Sequence, residues 1–469
     1  MPTRNLIPRK STLLLAGVVA ALVVNQAVLV SIVSRITDPG AKAPLVIGLA
    51  LSAGLALVLA PSLRLIKSTG KTLLLIFVAG LLMRAVWFGA SAAIEDDYNR
   101  YMLDGAVVAH ALDPYRYAPQ LFLSAGALPA EYAAIAGAGR STLVLVNFPH
   151  LGSLYPSVAQ LSFALAYFIA PFNLDALRAV FLAAEIVTFL LLIVLFAEMK
   201  VSPLWSALYW WNPLPIFTLI GMAHVDALVP PFVLGAILLA KRAWPNAAVA
   251  MLGAGAGVKI WPLLLAPLFL MPLIRQPRRL ACAVLVLVAV LALAIGPLSL
   301  SVLHPSSGLA AYTASWDVNN AFFAWGIYGL ELVLGDEEPA QTLLRSLLAV
   351  ATAGTALFVA LRRQQQEHDL VCGALIVSAT VFYLSPAQFP WYAAWFLPLA
   401  ALLRSWPLLL ASASLPLCYL VDPLWQAGWG GAYHYGVAFL HSVPVFLWLL
   451  IDACRQRRAP LDASKERKL

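Results

Sequence analysis

The sequence predicts an all-α integral membrane protein with about 12–14 transmembrane helices. Of its 469 residues, 62% are apolar and only 11% charged, against about 45–50% and about 25% in an average soluble domain. So few charges cannot cover the surface of a chain folded in water. A soluble enzyme, a nucleic-acid binder and a disordered protein are therefore excluded. The placement of the charges is the second observation. The net charge is +8, of which residues 1–10 hold +3 (Arg4, Arg9, Lys10) and residues 455–469 hold +4 (Arg455, Arg457, Arg458, Lys465, Arg467 and Lys468 against Asp462 and Glu466). Basic ends of this kind keep both termini of a membrane protein in the cytoplasm and are not a nucleic-acid footprint.

Taken in order, apolar runs long enough to span lie at 12–34, 43–65, 72–90, 178–197, 203–221, 280–300, 343–361 and 435–452, a span needing about 20 apolar residues. The first lacks a clear small-x-small cleavage site and reads as a retained anchor. Shorter runs at 227–240, 246–258, 260–273, 371–385, 391–403 and 407–421 read as spans that are broken, buried in protein or flanked by interfacial residues. Cys282, Cys372, Cys418 and Cys454 are far apart with no Cys-x-x-Cys pair. The first three are expected to be buried in spans, with no metal or disulfide framework.

Starting inside, Arg64, Lys67 and Lys71 fall in a cytoplasmic loop, and span 72–90 delivers Glu95-Asp96-Asp97 to the outside. If 154–171 crosses the membrane, Lys241-Arg242 lies outside. If it is re-entrant, Lys241-Arg242, Arg275, Arg278, Arg279, Arg362, Arg363, Arg404 and the tail all lie inside. The re-entrant reading satisfies every basic cluster. It also gathers Glu95–Asp97, His224, Asp226, Lys259, the loop 301–342 and Pro390-Trp391 on one external face. No strict internal repeat is visible, which weakens a transporter built of inverted repeats.

The polar stretches then suggest chemistry. Three consecutive carboxylates open a run, 97–111, that reads as an amphipathic interfacial helix. On it Asp97, Tyr101 and Asp104 share a face, and Arg100 lies one turn from Asp96 and Asp97. The plainer reading is a solvated helix cap paired with Arg100. Pro114 to Pro119, with Tyr115 and Arg116, reads as a rigid aromatic turn. His224-Val-Asp226 offers two metal ligands, but two ligands do not make a site, and a hydrogen-bonded structural pair is the simpler account. Gly253 to Lys259 lacks the Ser/Thr and the strand of a P-loop, so its glycines are better read as packing positions. Lys259 itself, deep in apolar sequence, is costly and so functional by default, most simply as a partner for an anionic head group. Asp317 in Ser315 to Asn320, and Trp391 in Leu384 to Tyr392, would each alone be ordinary interfacial residues.

In order along 91–398, these stretches resemble the GT-C superfamily of polyprenyl-phosphate-sugar-dependent glycosyltransferases, in the bacterial mannosyltransferase-like branch near glycosyltransferase family 87. The residues carrying the resemblance are Asp96 to Gly105, Asp113-Pro-Tyr115, Asn147-Phe-Pro149, Tyr155 to Gln160, Asn212-Pro213, Gly221 to Leu228, Lys259 to Pro262 and Pro390 to Tyr392. Phe148 stands where that branch usually has His, and Ser157 replaces the second Pro of Tyr-Pro-Pro. The resemblance implies a GT-C type fold in one polytopic domain over 1–453. Within it, 91–153 would be a long external catalytic loop carrying interfacial helices and 301–342 a second external loop, with 454–469 a basic cytoplasmic tail.

It further implies transfer of a hexose, mannose favoured, from a polyprenyl-phosphate donor to a lipid or glycan hydroxyl, with inversion, on the external face of a bacterial plasma membrane. Asp97 would be the general base, since the family's essential Asp lies four positions before the aromatic matched by Tyr101, and Asp96 would assist. Lys259, with Arg100 or Arg116, would bind the donor phosphate, and His224 and Asp226 would line the pocket. Tyr101, Asp104, Tyr115, Asp317 and Trp391 complete the candidate substrate-binding set. No cofactor is assigned, and a divalent cation is left open because GT-C families differ on it. The expected partners are the lipid-linked donor, the acceptor and the bilayer, with no nucleic acid. The competing classes are a transporter or lipid flippase, which would place ionisable groups at the midplane, and a lipid-linked polysaccharide ligase or polymerase, which would favour Arg-rich external loops.

Overall fold

A computed structural model of the protein describes residues 6–36, 42–124, 126, 128–304, 306–320, 322–362 and 368–453. The tail 454–469 with Cys454, as well as Arg4 and Arg363, lies outside the described residues. The described chain is helical, and its extended pairing is one isolated bridge between Val318 and Ala387.

The elements that frame the site are α1 (Leu6–Val33), α2 (Ala43–Leu59), α3 (Gly70–Ala85), α4 (Asp97–Ala109), α5 (Ser157–Ile169), α6 (Leu174–Glu198), α7 (Val229–Lys241), α8 (Pro245–Ala256), α9 (Pro277–Ala294), α10 (Glu337–Arg362) and α11 (His368–Leu384). Their starts follow local chemistry. Thr69 and Thr72 form a reciprocal capping box at α3, and the Asn173 side chain accepts from the amides of Asp175 and Ala176 at α6, which satisfies amides that a bare helix end leaves open. Proline near the first turn of α2, α7, α8 and α9 presets φ where no amide is needed.

Among the described residues, seven helices are long and apolar enough to cross a membrane: Ala16–Val33, Ala43–Leu65, Leu174–Glu198, Pro277–Ala294, Glu337–Arg362, Trp406–Gln426 and Gly430–Ala453. Pro213–Gly221 and Val225–Lys241, bent by 111°, make an eighth if taken as one span. Fewer helices among the described residues are continuous and long enough to pass as single spans than the 12–14 transmembrane helices expected. The reason is that several predicted runs are interrupted or short. Run 203–221 breaks into turns at 203–206, 207–210, 213–215 and 216–221, and Ser157–Ile169, Trp261–Leu273, Phe323–Leu334 and Leu370–Leu384 are apolar but only 10–17 residues long. At 1.5 Å per residue, the 13 residues of α5 reach about 20 Å, short of a hydrocarbon core of about 30 Å.

Outward-facing leucines such as Leu285 and Leu293 on α9 and Leu361 on α10 are exposed, as lipid-facing positions should be. Of the described cysteines, Cys418 is buried in protein, while Cys282 and Cys372 are exposed on the outer faces of the apolar helices α9 and α11, as lipid-facing positions are, so the expected burial within protein holds for Cys418 alone among these three.

Two close approaches hold the interior together. A Cβ on Gly80 would lie 2.2 Å from Trp210 Nε1, so α3 can receive the indole only there. A Cβ on Gly105 would lie 2.4 Å from the Phe163 carbonyl oxygen, which lets α4 lie against α5. Helix α4 is consequently buried along Asn99–Val107; the expected amphipathic interfacial helix is an internal one. The sequence singled out its polar residues, but Asp104 spends its charge inward, accepting from Ser153 Oγ at 2.5 Å and Gln160 Nε2 at 3.1 Å.

An ion pair that the sequence reading missed lies in the same interior. Arg84 of α3 meets Glu185 of α6 at 2.8 Å, both fully buried. Arg84 also donates to the Trp210 carbonyl at 2.8 Å, and Tyr209 donates to Glu185 at 2.6 Å.

Candidate active site

The cavity that matters is built where helices stop. Segment 216–221 is a wide π-type turn, and the chain then bends through Met222 and Ala223, the latter at φ +57°, before Val225–Leu228 and α7 resume. π-type turns open the backbone and recur at functional sites. Arg178 of α6 locks the bend. Its Nε donates to the Ile220 carbonyl at 3.0 Å and Nη2 to that of Gly221 at 2.6 Å, while Nη1 reaches the Ala90 carbonyl and Asp175, both at 2.8 Å. The bend sets His224 and Asp226, both fully buried, under the segment that carries Asp97. Two further interruptions complete the floor: α8 ends before Lys259, and the turn Pro390–Trp395 carries Trp391 and Trp395.

Above this floor is a cavity of about 270 Å³, lined by Glu95, Asp96, Asp97, Arg100, Asn147, Phe148, Leu151, Gly152, Leu154, Tyr155, Lys259, Tyr312, Trp316, Val318, Phe389, Trp391 and Tyr392. Asp97 Oδ2 lies 3.8 Å from His224 Nδ1. The His224 ring stacks on Trp391 at 3.6 Å, with Phe389 stacked on the far side of the indole at 4.4 Å. Neither ring nitrogen of His224 has a hydrogen-bond partner. Asp226 accepts from Trp395 Nε1 at 2.8 Å and faces Lys259 Nζ at 3.5 Å. Lys259 also lies over the Tyr392 ring at 4.8 Å, a position where the ring face favours a cation.

The amide of Asn147 donates to both Asp96 Oδ1, at 2.7 Å, and Asp97 Oδ1, at 3.0 Å. Asp96 is raised above the ordinary carboxylate value, chiefly by lost hydration and then by Asp97, with Asn147 opposing the shift. Glu95 is pushed well up for the same two reasons. Asp104, sealed behind the cavity, is raised by burial, an effect Arg100 partly offsets.

Several expected site residues therefore meet: Asp96, Asp97, Arg100, Lys259 and Trp391 line the cavity, and His224 and Asp226 close it from behind. Others do not. Tyr101 is buried behind Tyr155, stacked on Phe163 at 4.5 Å, and Asp104 is tied up by Ser153 and Gln160. The Asp113 side chain accepts from the Tyr115 amide in a local turn, and the Tyr115 hydroxyl donates to the Tyr155 carbonyl at 2.8 Å, so Tyr115 braces the loop. Arg116 is exposed beside the Tyr117 ring. Asp317 accepts from Asn320 and is not part of the lining, although its neighbours Trp316 and Val318 are. Arg100 lies in the wall, but its guanidinium donates to the carbonyls of Leu151, Asn147 and Phe148 at 2.9, 3.1 and 3.1 Å. It is neither the partner of a solvated cap nor a free phosphate ligand.

The residues without a predicted role are Asn147, which the sequence offered only within a motif, and the aromatic groups Tyr155, Tyr312, Trp316, Phe389 and Tyr392. Their signal was weak because tyrosines and tryptophans abound at membrane interfaces. Among the described residues no group of three or more His, Cys, Asp and Glu is placed to hold a metal ion.

These features define a class: a multi-pass, all-helical membrane protein whose helix interruptions enclose an aromatic cavity with a carboxylate pair at one side and a lysine at the other. Residues 154–386, just under half of the chain, match the model of glycosyltransferase family 87, a match that supports a GT-C type glycosyltransferase near that family. No curated protein and no solved structure matches the chain.

Proposed function

We propose that the protein is an inverting glycosyltransferase that moves a hexose, mannose favoured, from a polyprenyl-phosphate donor to a hydroxyl of a lipid or glycan acceptor. The observation that carries this reading is the placement, in one cavity, of the Asp97 carboxylate and the Lys259 ammonium, Asp97 facing the buried His224 at 3.8 Å and Lys259 facing the buried Asp226 at 3.5 Å. In this reaction the acceptor oxygen attacks the anomeric carbon from the face opposite the phosphate. The bond from that carbon to the phosphate oxygen breaks, and the polyprenyl phosphate leaves with the electron pair. Asp97 takes the hydroxyl proton, and Lys259 meets the charge that develops on the phosphate. Asp96 shares the Asn147 amide with Asp97 and assists. His224 stands opposite Asp97, and its stack on Trp391 fixes the ring plane.

Residues 1–10 and the tail place the termini in the cytoplasm by the positive-inside rule, and the re-entrant reading puts the cavity on the external face of a bacterial plasma membrane. A cofactor is not assigned. The test is transfer by the purified protein in nanodiscs from radiolabelled polyprenyl-phosphate mannose, with the glucose and arabinose analogues alongside, to a membrane-lipid and glycan extract. Asp97→Asn is expected to lower transfer by about 10²–10⁴-fold, the usual worth of a general base, while donor binding persists. Near-normal turnover by Asp97→Asn removes Asp97 as the base. Failure to bind any lipid-phosphate sugar favours the transporter.

A further inference from the structure

Asp97 is not aimed by its own helix alone. It opens α4, while Arg100, three residues on and buried, sends its guanidinium out to the loop 147–151. One nitrogen, Nη2, holds the carbonyls of both Asn147 and Phe148 at 3.1 Å, and Nη1 holds that of Leu151 at 2.9 Å. Two successive carbonyls can converge on one nitrogen because Phe148 sits in the left-handed region at φ +43°, a conformation that a bulky residue keeps only when its surroundings enforce it. The loop so fixed returns the Asn147 side chain to the start of α4. There its amide bridges the neighbouring carboxylates at 2.7 and 3.0 Å. A single NH2 group donating to both carboxylates occupies Asp97 Oδ1, so that Oδ2 is left facing His224.

We propose that Asn147 is a positioning residue for the reaction: it holds the Asp96–Asp97 pair together and aims Asp97 Oδ2 into the cavity, with Arg100 acting through it. This rests on the reading of Asp97 as the base. Asn147 need not touch either substrate.

The experiment compares wild type, Asn147→Asp, Asn147→Ala and Asp97→Asn in nanodiscs, with polyprenyl-phosphate mannose as donor and the membrane extract as acceptor, across pH 5–9. Asn147→Asp keeps the shape of the side chain but swaps the bridging donor for a third carboxylate. A general base works only when ionised, so activity rises with pH through the titration of the cluster. An added negative charge moves that rise to higher pH. The acid limb of kcat is expected to shift up by about one unit or more, so that activity falls by up to about tenfold or more at pH values below the wild-type limb and recovers toward pH 9, with donor KM within about threefold of wild type. Asn147→Ala, which loses the bridge without adding charge, is expected to shift the limb in the same direction by less.

A limb unmoved in both variants overturns the proposal, whether kcat is retained or falls equally at all pH, since an equal fall is what a merely structural loop residue would give. If Asn147→Asp does not fold, Asn147→Ala decides by the same criterion. Asp97→Asn separates the two failures. If it is inactive while the Asn147 variants titrate like wild type, only the positioning role falls. If it is active, the reading of the base itself falls.

Discussion

Lys259 and Asp226 allow the structural and the chemical uses of one charge to be separated. Asp226 is fully buried, has one oxygen on Trp395 Nε1, and presents the other to Lys259 Nζ at 3.5 Å. Lys259→Met would leave that carboxylate buried without its cation, and breaking a buried pair from one side costs about 3–5 kcal/mol. At roughly 2–4 °C per kcal/mol for a large domain, the thermal midpoint should fall by about 10 °C. Asp226→Asn removes the orphaned charge and keeps an acceptor for Trp395. The double variant should therefore return to within about 1 kcal/mol of wild type, since replacing both members of a buried pair is often close to neutral.

Donor affinity should not return with it. A hydrogen bond from an ammonium to a phosphate contributes about 1.5–3 kcal/mol, so the double variant should bind a short-chain polyprenyl-phosphate mannose about 10- to 100-fold more weakly. Thermal midpoints in nanodiscs and equilibrium donor binding measure the two effects on the same preparations. A double variant that is stable and binds donor like wild type would refute the reasoning, because Lys259 would then serve only to neutralise Asp226.

Two further expectations concern the interior and the rim. In a double-mutant cycle on Arg84 and Glu185, 2.8 Å apart and fully buried, each single replacement by leucine should cost about 3 kcal/mol or more, and the double replacement well under their sum; simple addition of the two thermal shifts would show that the pair does not couple. At the rim, burial and Asp97 push Glu95 well above the ordinary value, so the folded state holds this proton more tightly than the unfolded chain does. The resulting cost is absent below the unfolded value of about 4.3 and grows as pH rises toward the folded one. Glu95→Gln should therefore raise the thermal midpoint by about 2 °C at pH 8 and leave it unchanged at pH 4. A gain at pH 4 equal to that at pH 8 would show that the effect is not electrostatic.

Charge placement and run length made the class legible, because lipid demands apolar helices and water at the ends demands basic residues. They could not give the number of continuous spans. Runs such as 203–221 are apolar throughout, yet they fold as successive short turns whose interruptions depend on partners far away in sequence, Arg178 above all. Among the site residues, Asp97 and Lys259 were legible because charge in apolar sequence is costly. Tyr115, Arg116 and Asp317 were chosen for residue type within a motif, and local turns send each elsewhere: Asp113 caps the Tyr115 amide, Arg116 stays at the surface, and Asp317 is taken by Asn320. Asn147 was passed over for the opposite reason. It is neutral, and its value lies in meeting residues some fifty positions away.

The same physics explains where the cavity had to form. A continuous helix satisfies its own backbone and offers the interior only side chains at fixed spacing. An interrupted one leaves amides and carbonyls that need polar partners, which can persist at depth only inside protein or beside a cavity. His224 follows a bend whose carbonyls Arg178 satisfies, Lys259 follows the end of α8 at Gly257, and Trp391 opens a turn after Pro386 and Pro390. Glycine and proline mark each of these interruptions in the sequence. The three residues are 35 and 132 positions apart, yet Lys259 joins Asp226, two residues from His224, and His224 stacks on Trp391. Aligning the interruptions, rather than the spans, is what assembles a carboxylate, a lysine and an aromatic wall around one volume.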